Sequence, residues 1–182
     1  MRRNHVVVSG LSLAAALFGI GTVGAADLPK ARVKWEKVKL VDNLNEGIDV
    51  VDVNRDGKLD IISGPQWFEA PKWTPHPVRD VGTNNKEFFE NNGDHAIDLN
   101  GDGYPDIISA SWFSENVYWY ENPGKEGLTE GRKWKQHHII DGQGTCEGTL
   151  LQDIDGDKVP ELILNHWTAE KPMTIVSIKP GK

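Results

Sequence analysis

Residues 52–62 read DVNRDGKLDII, and two later stretches repeat the pattern: DLNGDGYPDII at residues 98–108 and DIDGDKVPELI at residues 153–163. Each copy has acidic or amide side chains at positions one, three, five and nine, and aliphatic residues follow directly. The copies begin 46 and 55 residues apart. Self-similarity at such a period is typical of repeat folds, so the three acidic loops predict three related structural units.

The tryptophans keep the same register as the acidic loops. Three of them follow the ninth loop position by six or seven residues: Trp67, Trp112 and Trp167. Three others each precede an aspartate by seven residues: Trp35, Trp73 and Trp134. In addition, Trp67-Phe-Glu resembles Trp119-Tyr-Glu. The repetition therefore extends over the whole of each unit.

Each unit is predicted to contain short β-strands and no long helix. β-branched runs bounded by Gly, Asp and Asn lie on both sides of every acidic loop, at residues 48–53, 59–63, 95–99, 105–110, 149–154 and 160–165. A third strand is plain at 116–121, and fourth strands are predicted at 35–41, 73–78 and 134–140. Four strands in about 50 residues match a β-propeller blade. We therefore predict an all-β propeller with about three four-stranded blades, at about residues 33–71, 73–123 and 134–182.

The first 26 residues have the form of a secretory signal peptide. Arg2 and Arg3 precede an apolar run, and small residues precede Asp27. This predicts a secreted or periplasmic protein with no stable membrane span once the segment is cleaved; an uncleaved anchor is the alternative.

With 20 basic and 27 acidic residues and a net charge of -7, the chain is not expected to bind nucleic acid. Its single cysteine excludes a disulfide scaffold.

The acidic loops carry the predicted chemistry. Oxygen ligands at alternating positions, with Gly at position six for a sharp turn, suit calcium. Zinc would require the His or Cys that the loops lack. An EF-hand is excluded because position twelve is Ser63, Ser109 or Leu164 instead of Glu. Simple hairpin turns with solvated acids are the remaining alternative. The third loop has Lys158 in place of Gly and Glu161 in place of Asp, so we expect it to bind more loosely or to stay empty.

Repeated Asp-x-Asn-x-Asp-Gly-x-x-Asp-Ile-Ile within blade-length units resembles the FG-GAP and VCBS repeats of calcium-binding β-propellers. The resemblance covers about residues 33–182. It implies side-chain ligands at Asp52, Asn54, Asp56, Asp60, Asp98, Asn100, Asp102, Asp106, Asp153, Asp155, Asp157 and Glu161. It also implies carbonyl ligands at Lys58, Tyr104 and Val159, with the ion stiffening the turn between the first two strands of a blade.

The propeller face opposite the loops is the predicted place for a ligand. The connections there carry Glu46, Asp49, Gln66, Asn92, Asp94, His95, Trp112, Ser114, Glu115, Cys146, Glu147, Asn165, His166 and Trp167. Aromatic rings beside acids and amides suit a carbohydrate or a cell-surface glycoprotein, which favours a binding or scaffold module. A weaker likeness to the propeller part of aldos-2-ulose dehydratase-like sugar lyases implies the alternative: a dehydratase with His95, His166 or Glu147 as catalytic candidates.

Closure of the ring is the remaining question. A propeller requires at least about four blades, whereas the sequence supplies about three. An arc of three blades would leave strand edges open to pairing with another chain. We therefore expect either further C-terminal blades in a longer protein or closure by self-association.

Overall fold

The computed structural model describes residues 36–84, 87–143, 145–166, 168 and 170–178. By internal packing the chain divides into residues 1–39 and 40–182, and all the strands described below belong to the second unit. The predicted signal segment, residues 1–26, lies outside the described residues. Where the chain is described, it has no helix with the length and apolar character needed to cross a membrane.

Three antiparallel sheets follow one another along the chain. The first sheet contains, in spatial order, β1 (Asp49–Val51), β2 (Asp60–Ser63), β3 (Gln66–Glu69) and β4 (Thr74–Pro77). A hairpin of β5 (Thr83–Asn84) and β6 (Phe88–Phe89) follows it. The second sheet contains β7 (Gly93–Ile97), β8 (Asp106–Ala110), β9 (Val117–Glu121) and β10 (Lys135–Ile140). The third sheet contains β11 (Cys146–Gln152), β12 (Glu161–His166) and β13 (Thr174–Ser177). The predicted all-β, propeller-like fold is confirmed.

The sheets group the strands differently from the repeat boundaries expected at 71/73 and 123/134. β4 pairs with β3 and completes the first sheet, while β10 pairs with β9 and completes the second. The β3–β4 connection is short and the β9–β10 connection contains a helix, yet each fourth strand folds back onto the strand before it. Of the strand predicted at 35–41, residues 36–41 are described, and they are not in a strand.

A short helix that the sequence pattern did not predict connects β9 to β10. This helix, α1 (Gly124–Glu130), ends at Gly131, whose φ of 68° gives the left-handed conformation favoured by glycine. It buries only Gly127 and Leu128. Two turns with one apolar anchor are too short to produce a helical hydrophobic period, which is why the sequence did not indicate it.

Two apolar cores hold neighbouring sheets together. The first core joins the first two sheets and contains Val53, Ile62, Trp67, Val78, Ile107, Leu128 and Trp134. The second core joins the second and third sheets and contains Ile108, Ala110, Val117, Cys146, Leu162 and Leu164. The inner strand β7 contacts both β1 and β11, so the second sheet lies between the other two. This side-by-side arrangement is the one expected for successive propeller blades.

The ninth residue of each acidic loop fixes how its sheet folds back on itself. Asp60 is fully buried, and its two oxygens accept the backbone N–H groups of Val53, at 3.0 Å, and Ala70, at 2.8 Å. Asp106 is also fully buried and repeats the arrangement in the second sheet, where its donors are the backbone N–H groups of Leu99 and Asn122. One carboxylate thereby connects the start of the loop to the end of the third strand. Glu161 accepts the N–H of Ile154 in the third sheet.

This arrangement predicts the effect of truncating Asp106. In the presence of a chelator, Asp106→Ala should lower the free energy of unfolding in urea by about 2–4 kcal/mol, because two buried backbone donors lose their acceptors. Asp106→Asn should cost less, since one acceptor oxygen remains. The matched control is Asp102→Ala in the exposed part of the same loop, which should cost about 1 kcal/mol or less. Equal losses for Asp106→Ala and Asp102→Ala would contradict the structural role assigned to Asp106.

Candidate metal centres

The first acidic loop is folded by its own side chains. The two carboxylate oxygens of Asp52 accept the backbone N–H groups of Asp56 and Gly57 at 3.0 and 2.9 Å. The Asn54 amide oxygen accepts the Asp56 N–H at 3.0 Å, and Asp56 accepts the Lys58 N–H at 2.9 Å. Gly57 has a φ of 86°. The oxygens at positions one, three and five are thus held around one tight turn.

The second loop repeats these contacts at the equivalent positions. Asp98 accepts the N–H groups of Asp102 and Gly103 at 3.1 and 2.8 Å. Asn100 accepts the Asp102 N–H at 2.9 Å, and Asp102 accepts the Tyr104 N–H at 2.7 Å. Gly103 has a φ of 87°, like Gly57 in the first loop. Two loops separated in sequence therefore have one backbone design.

The third loop keeps this design despite its two substitutions. Lys158 occupies the glycine position with a φ of 75°, a strained conformation for a residue with a side chain. Its N–H still donates to Asp153 at 3.0 Å. Carboxylate oxygens of Asp153, Asp155 and Glu161 lie within 4.8 Å of one another. The loop that we expected to bind most loosely thus brings three carboxylates together, since position three is Asp here and Asn in the other two loops.

Burial sets the electrostatics of the position-nine carboxylates. It raises the pKa of Asp106 to about 6 and also raises the pKa of Asp60. Among the described residues, no basic side chain forms an ion pair with either carboxylate. Desolvation of an unpaired carboxylate is costly, and a nearby cation offsets that cost. The buried carboxylates and the exposed oxygens of the same loops fit a hard divalent cation.

In the first loop, the side-chain ammonium group of Lys58 lies beside one of the predicted metal ligands. The Lys58 ammonium lies 2.5 Å from an Asp56 oxygen, and this hydrogen bond lowers the pKa of Asp56. The pair is exposed, so its contribution to stability is small. An ion entering this loop would compete with the Lys58 ammonium for Asp56. The carbonyl groups of Lys58, Tyr104 and Val159 remain predicted ligands.

On the face opposite the acidic loops, several side chains that were predicted to bind a ligand instead form hydrogen bonds or ion pairs with other residues of the protein. Asp94 is buried and accepts from Arg79 at 2.6 Å, from the Asn91 amide at 2.7 Å and from the Gly64 N–H at 3.0 Å. The Arg79 guanidinium lies over the ring of Tyr120, 4.5 Å from its centroid. Asp94 therefore holds the first two sheets together and is not open to a ligand. The stability of a buried ion pair depends on both partners. The spacing of residues in the sequence does not reveal that Arg79 is the partner of Asp94.

Other groups on this face also have protein partners. The Asn92 amide donates to Glu46 at 2.7 Å and accepts the Trp112 N–H at 2.8 Å. Asp49 accepts the N–H groups of Val50 and Ala96, both at 2.7 Å. Glu115 pairs with Lys171 at 3.0 Å. Gln66 begins β3, Asn165 lies within β12 and Ser114 lies in the β8–β9 connection. Trp167 lies outside the described residues.

The three catalytic candidates do not form a hydrogen-bonded set in the described structure. His95 contacts the Thr149 hydroxyl at 2.7 Å, and burial lowers the pKa of its imidazole. His166 is buried, and neither ring nitrogen has a hydrogen-bond partner there. Glu147 is exposed at a β-bulge where the β11–β12 register shifts. The Cys146 thiol beside it donates to the Gln143 carbonyl, and burial raises its pKa to about 11, so it is not a reactive thiolate.

A second repeated cluster was missed by the sequence reasoning. The Trp67 ring stacks on His76 with 4.4 Å between centroids, and His76 contacts Glu69 at 2.9 Å. In the second sheet, Trp119 stacks on His137 at 4.2 Å, and His137 contacts Glu121 at 2.7 Å. The available signal was the repeated Trp-x-Glu on the third strand, followed by His three residues after Trp73 and Trp134. These clusters fasten each fourth strand to the third.

Comparison with known proteins agrees with the motif. The family model described as FG-GAP-like repeat matches residues 98–164, from the first position of the second acidic loop to β12. No curated protein and no solved structure gives a significant match to this chain. The likeness to aldos-2-ulose dehydratase-like proteins therefore gains no support. Residues 98–164 of this chain therefore match an FG-GAP-like repeat.

Proposed function

We propose that this protein is an exported calcium-binding β-propeller repeat protein that acts as a binding or scaffold module for carbohydrate or other cell-surface ligands. The observation that carries the proposal is the acidic loop itself. Its pattern of backbone hydrogen bonds to Asp and Asn oxygens occurs three times, each time between the first two strands of a sheet.

The donor set supports calcium over other cations. Each loop offers carboxylate, amide and carbonyl oxygens, and none contains His or Cys. Calcium accepts six to eight such oxygens with flexible geometry, whereas magnesium requires a strict octahedron and retains water. A bound ion would be held by the positions one, three, five and nine named above. It would supply positive charge to the cluster of acidic side chains and stiffen the turn.

The predicted export is consistent with this choice of ion. Extracellular modules bind calcium with dissociation constants of about 0.1–1 mM, a range suited to sites that remain partly exposed. The side chains at loop positions five, Asp56, Asp102 and Asp157, are exposed. Exposed ligands and a secretory leader at residues 1–26 both favour a weak site that fills outside the cell.

A polar cavity supports a carbohydrate as the ligand. It has a volume of about 230 Å³ and lies beside the β8–β9 connection, where it is lined by groups such as Glu90, Ser114, Asn116, Tyr118 and Gln136. Hydroxyl, amide and carboxylate groups can pair with sugar hydroxyls, and an aromatic ring can pack against a sugar face. Trp112 and Phe113, whose ring centroids are 4.9 Å apart, lie in the same connection.

Removal of calcium should destabilise the protein. A ligand that binds only the folded state stabilises it by about 2.7 kcal/mol when present at 100 times its dissociation constant. We expect a chelator to lower Tm by several degrees in a thermal scan, and Asp56→Ala combined with Asp102→Ala to abolish most of that shift. Glu87→Ala, an exposed acid outside the loops, is the control and should leave the shift unchanged. An identical melting curve with and without chelator would refute calcium binding.

The ligand class is tested by titrating a panel of soluble oligosaccharides into the calcium-loaded protein in a calorimeter. We expect at least one sugar to bind, and Tyr118→Ala to weaken it about tenfold through loss of ring packing. Phe88→Ala, outside the cavity, should have no effect. Absence of binding across the panel would contradict a carbohydrate module. An ultraviolet-absorbing enone formed from anhydro- or keto-sugars would instead indicate the lyase.

A further inference from the structure

The polar cavity beside the β8–β9 connection has a buried hydrogen-bond donor in its wall that lacks a partner. Arg79 lines this cavity, and its side chain is 3% exposed. One guanidinium nitrogen, Nη2, donates to Asp94 at 2.6 Å and to Ser109 at 3.2 Å. The other nitrogen, Nη1, has no hydrogen-bond partner among the described residues. A buried donor without an acceptor costs free energy, so Nη1 requires an acceptor that the described protein atoms do not supply.

Two buried hydroxyl groups in the same wall are donors of the same kind. Ser109 and Ser111 both line the cavity and are 7% and 4% exposed. The Ser109 oxygen accepts from Arg79. The Ser111 oxygen accepts the backbone N–H groups of Phe113 and Ser114, at 3.1 and 3.3 Å. Within the described part of the chain neither hydroxyl donates a hydrogen bond, so the proton of each is available to a ligand.

The exposed side of the cavity has the opposite chemistry. Glu90 lines the cavity and is exposed to solvent. Among the described residues no basic side chain forms an ion pair with its carboxylate. A ligand that fits this cavity therefore carries a hydrogen-bond acceptor on its buried side and hydroxyl or N–H donors on its exposed side.

The charge of Arg79 is already balanced, which decides the kind of acceptor. The Arg79 and Asp94 side chains form an ion pair at 2.6 Å and are 3% and 0% exposed. A ligand carboxylate beside this pair would be a second buried anion without a counter-ion of its own, with Glu90 in the same lining. Asp80, a further acid of the lining, pairs with Lys133 at the surface. The buried side of the cavity thus favours a neutral acceptor, such as an amide carbonyl, over a carboxylate, a sulfate or a phosphate.

Apolar groups lie next to these donors. Val81 and Ala110 line the cavity, and Ala110 is 3% exposed. The ring of Tyr120 also lines it, with the Arg79 guanidinium 4.5 Å from the ring centroid. A methyl group is a suitable partner for these surfaces, whereas a hydroxyl group would lose hydrogen bonds to water there. An acetyl group combines a methyl group with a neutral carbonyl oxygen.

We propose that this cavity binds the acetamido group of an N-acetylated amino sugar. The carbonyl oxygen accepts from Arg79 Nη1 and from one of the two serine hydroxyls, Ser109 or Ser111. The methyl group packs against Ala110 and the ring of Tyr120. Donors elsewhere on the sugar pair with the exposed Glu90 carboxylate. This inference rests on the carbohydrate-binding function proposed above and identifies the class of sugar.

The test compares sugars that differ only in the group at one ring carbon. Calorimetric titrations of the calcium-loaded protein would use glycosides of N-acetylglucosamine and N-acetylgalactosamine. Each has two matched controls, with a free amine or a hydroxyl in place of the acetamido group, and a uronic acid of the same ring configuration is the anionic control. We expect the acetylated sugar of at least one pair to bind about tenfold more tightly than both of its controls, because the controls leave buried donors unpaired.

The outcomes separate this inference from the function on which it rests. Equal binding of acetylated and matched hydroxyl sugars would overturn the acetamido assignment and leave the carbohydrate module intact. Tightest binding of the uronic acid would likewise overturn it, since the charge balance at Arg79 would then be misjudged. Absence of binding for every sugar would contradict the carbohydrate function itself, and the inference would fail with it.

Substitutions in the cavity wall locate the effect. Ser109→Ala removes one hydroxyl donor, and Arg79→Lys keeps a positive charge near Asp94 while removing Nη1. Each should reduce the preference for the acetylated sugar over its hydroxyl counterpart at least threefold, a ratio that a general loss of stability would not change. Ser177→Ala, in β13 and outside this cavity, is the matched control and should leave the ratio unaltered. Should Arg79→Lys fail to fold, Ser109→Ala decides alone, and an unchanged ratio in that variant would overturn the proposal.

Discussion

The buried carboxylate at the ninth loop position is the contact on which the rest of the structure depends. Asp60 and Asp106 each accept one N–H from the start of the acidic loop and one from the end of the third strand. Because both donors are backbone groups, the carboxylate determines the path of the chain whatever the neighbouring side chains are. It therefore fixes the loop, the hairpin that follows it and the return of the fourth strand. The same carboxylates are desolvated, which makes a nearby cation favourable.

Packing between sheets follows from this local design. Once each sheet is folded, its apolar positions face the neighbouring sheet, and the Arg79–Asp94 pair lies buried where the first two sheets meet. Every sheet in such a repeat packs one face on the sheet before it and the other face on the sheet after it. The outer faces of the first and last sheets are therefore not covered by another sheet among the described residues. Exposed apolar residues at both ends, such as Val50 and Ile175, are the physical consequence.

The sequence predicted the features that are encoded locally. The acidic loops, their flanking strands and the propeller-like arrangement depend on residues within one repeat, so spacing was sufficient to find them. The features that it missed depend on partners distant in sequence. Asp94 was expected to face a ligand, but Arg79 and Gly64 bury it in the contact between sheets. The α1 helix has a single apolar anchor, Leu128, that meets the first core.

The central claim is that the repeated loops are calcium sites, and the most direct measurement is the number of calcium ions bound per chain. Equilibrium dialysis of the purified protein against labelled calcium, at concentrations up to a few millimolar, would give that number. One ion for each loop is predicted, and the Asp153, Asp155 and Glu161 cluster makes the third loop part of this count. Saturable binding of three ions per chain agrees with the account. No saturable binding over this range would contradict it and leave the loops as hydrogen-bonded turns alone.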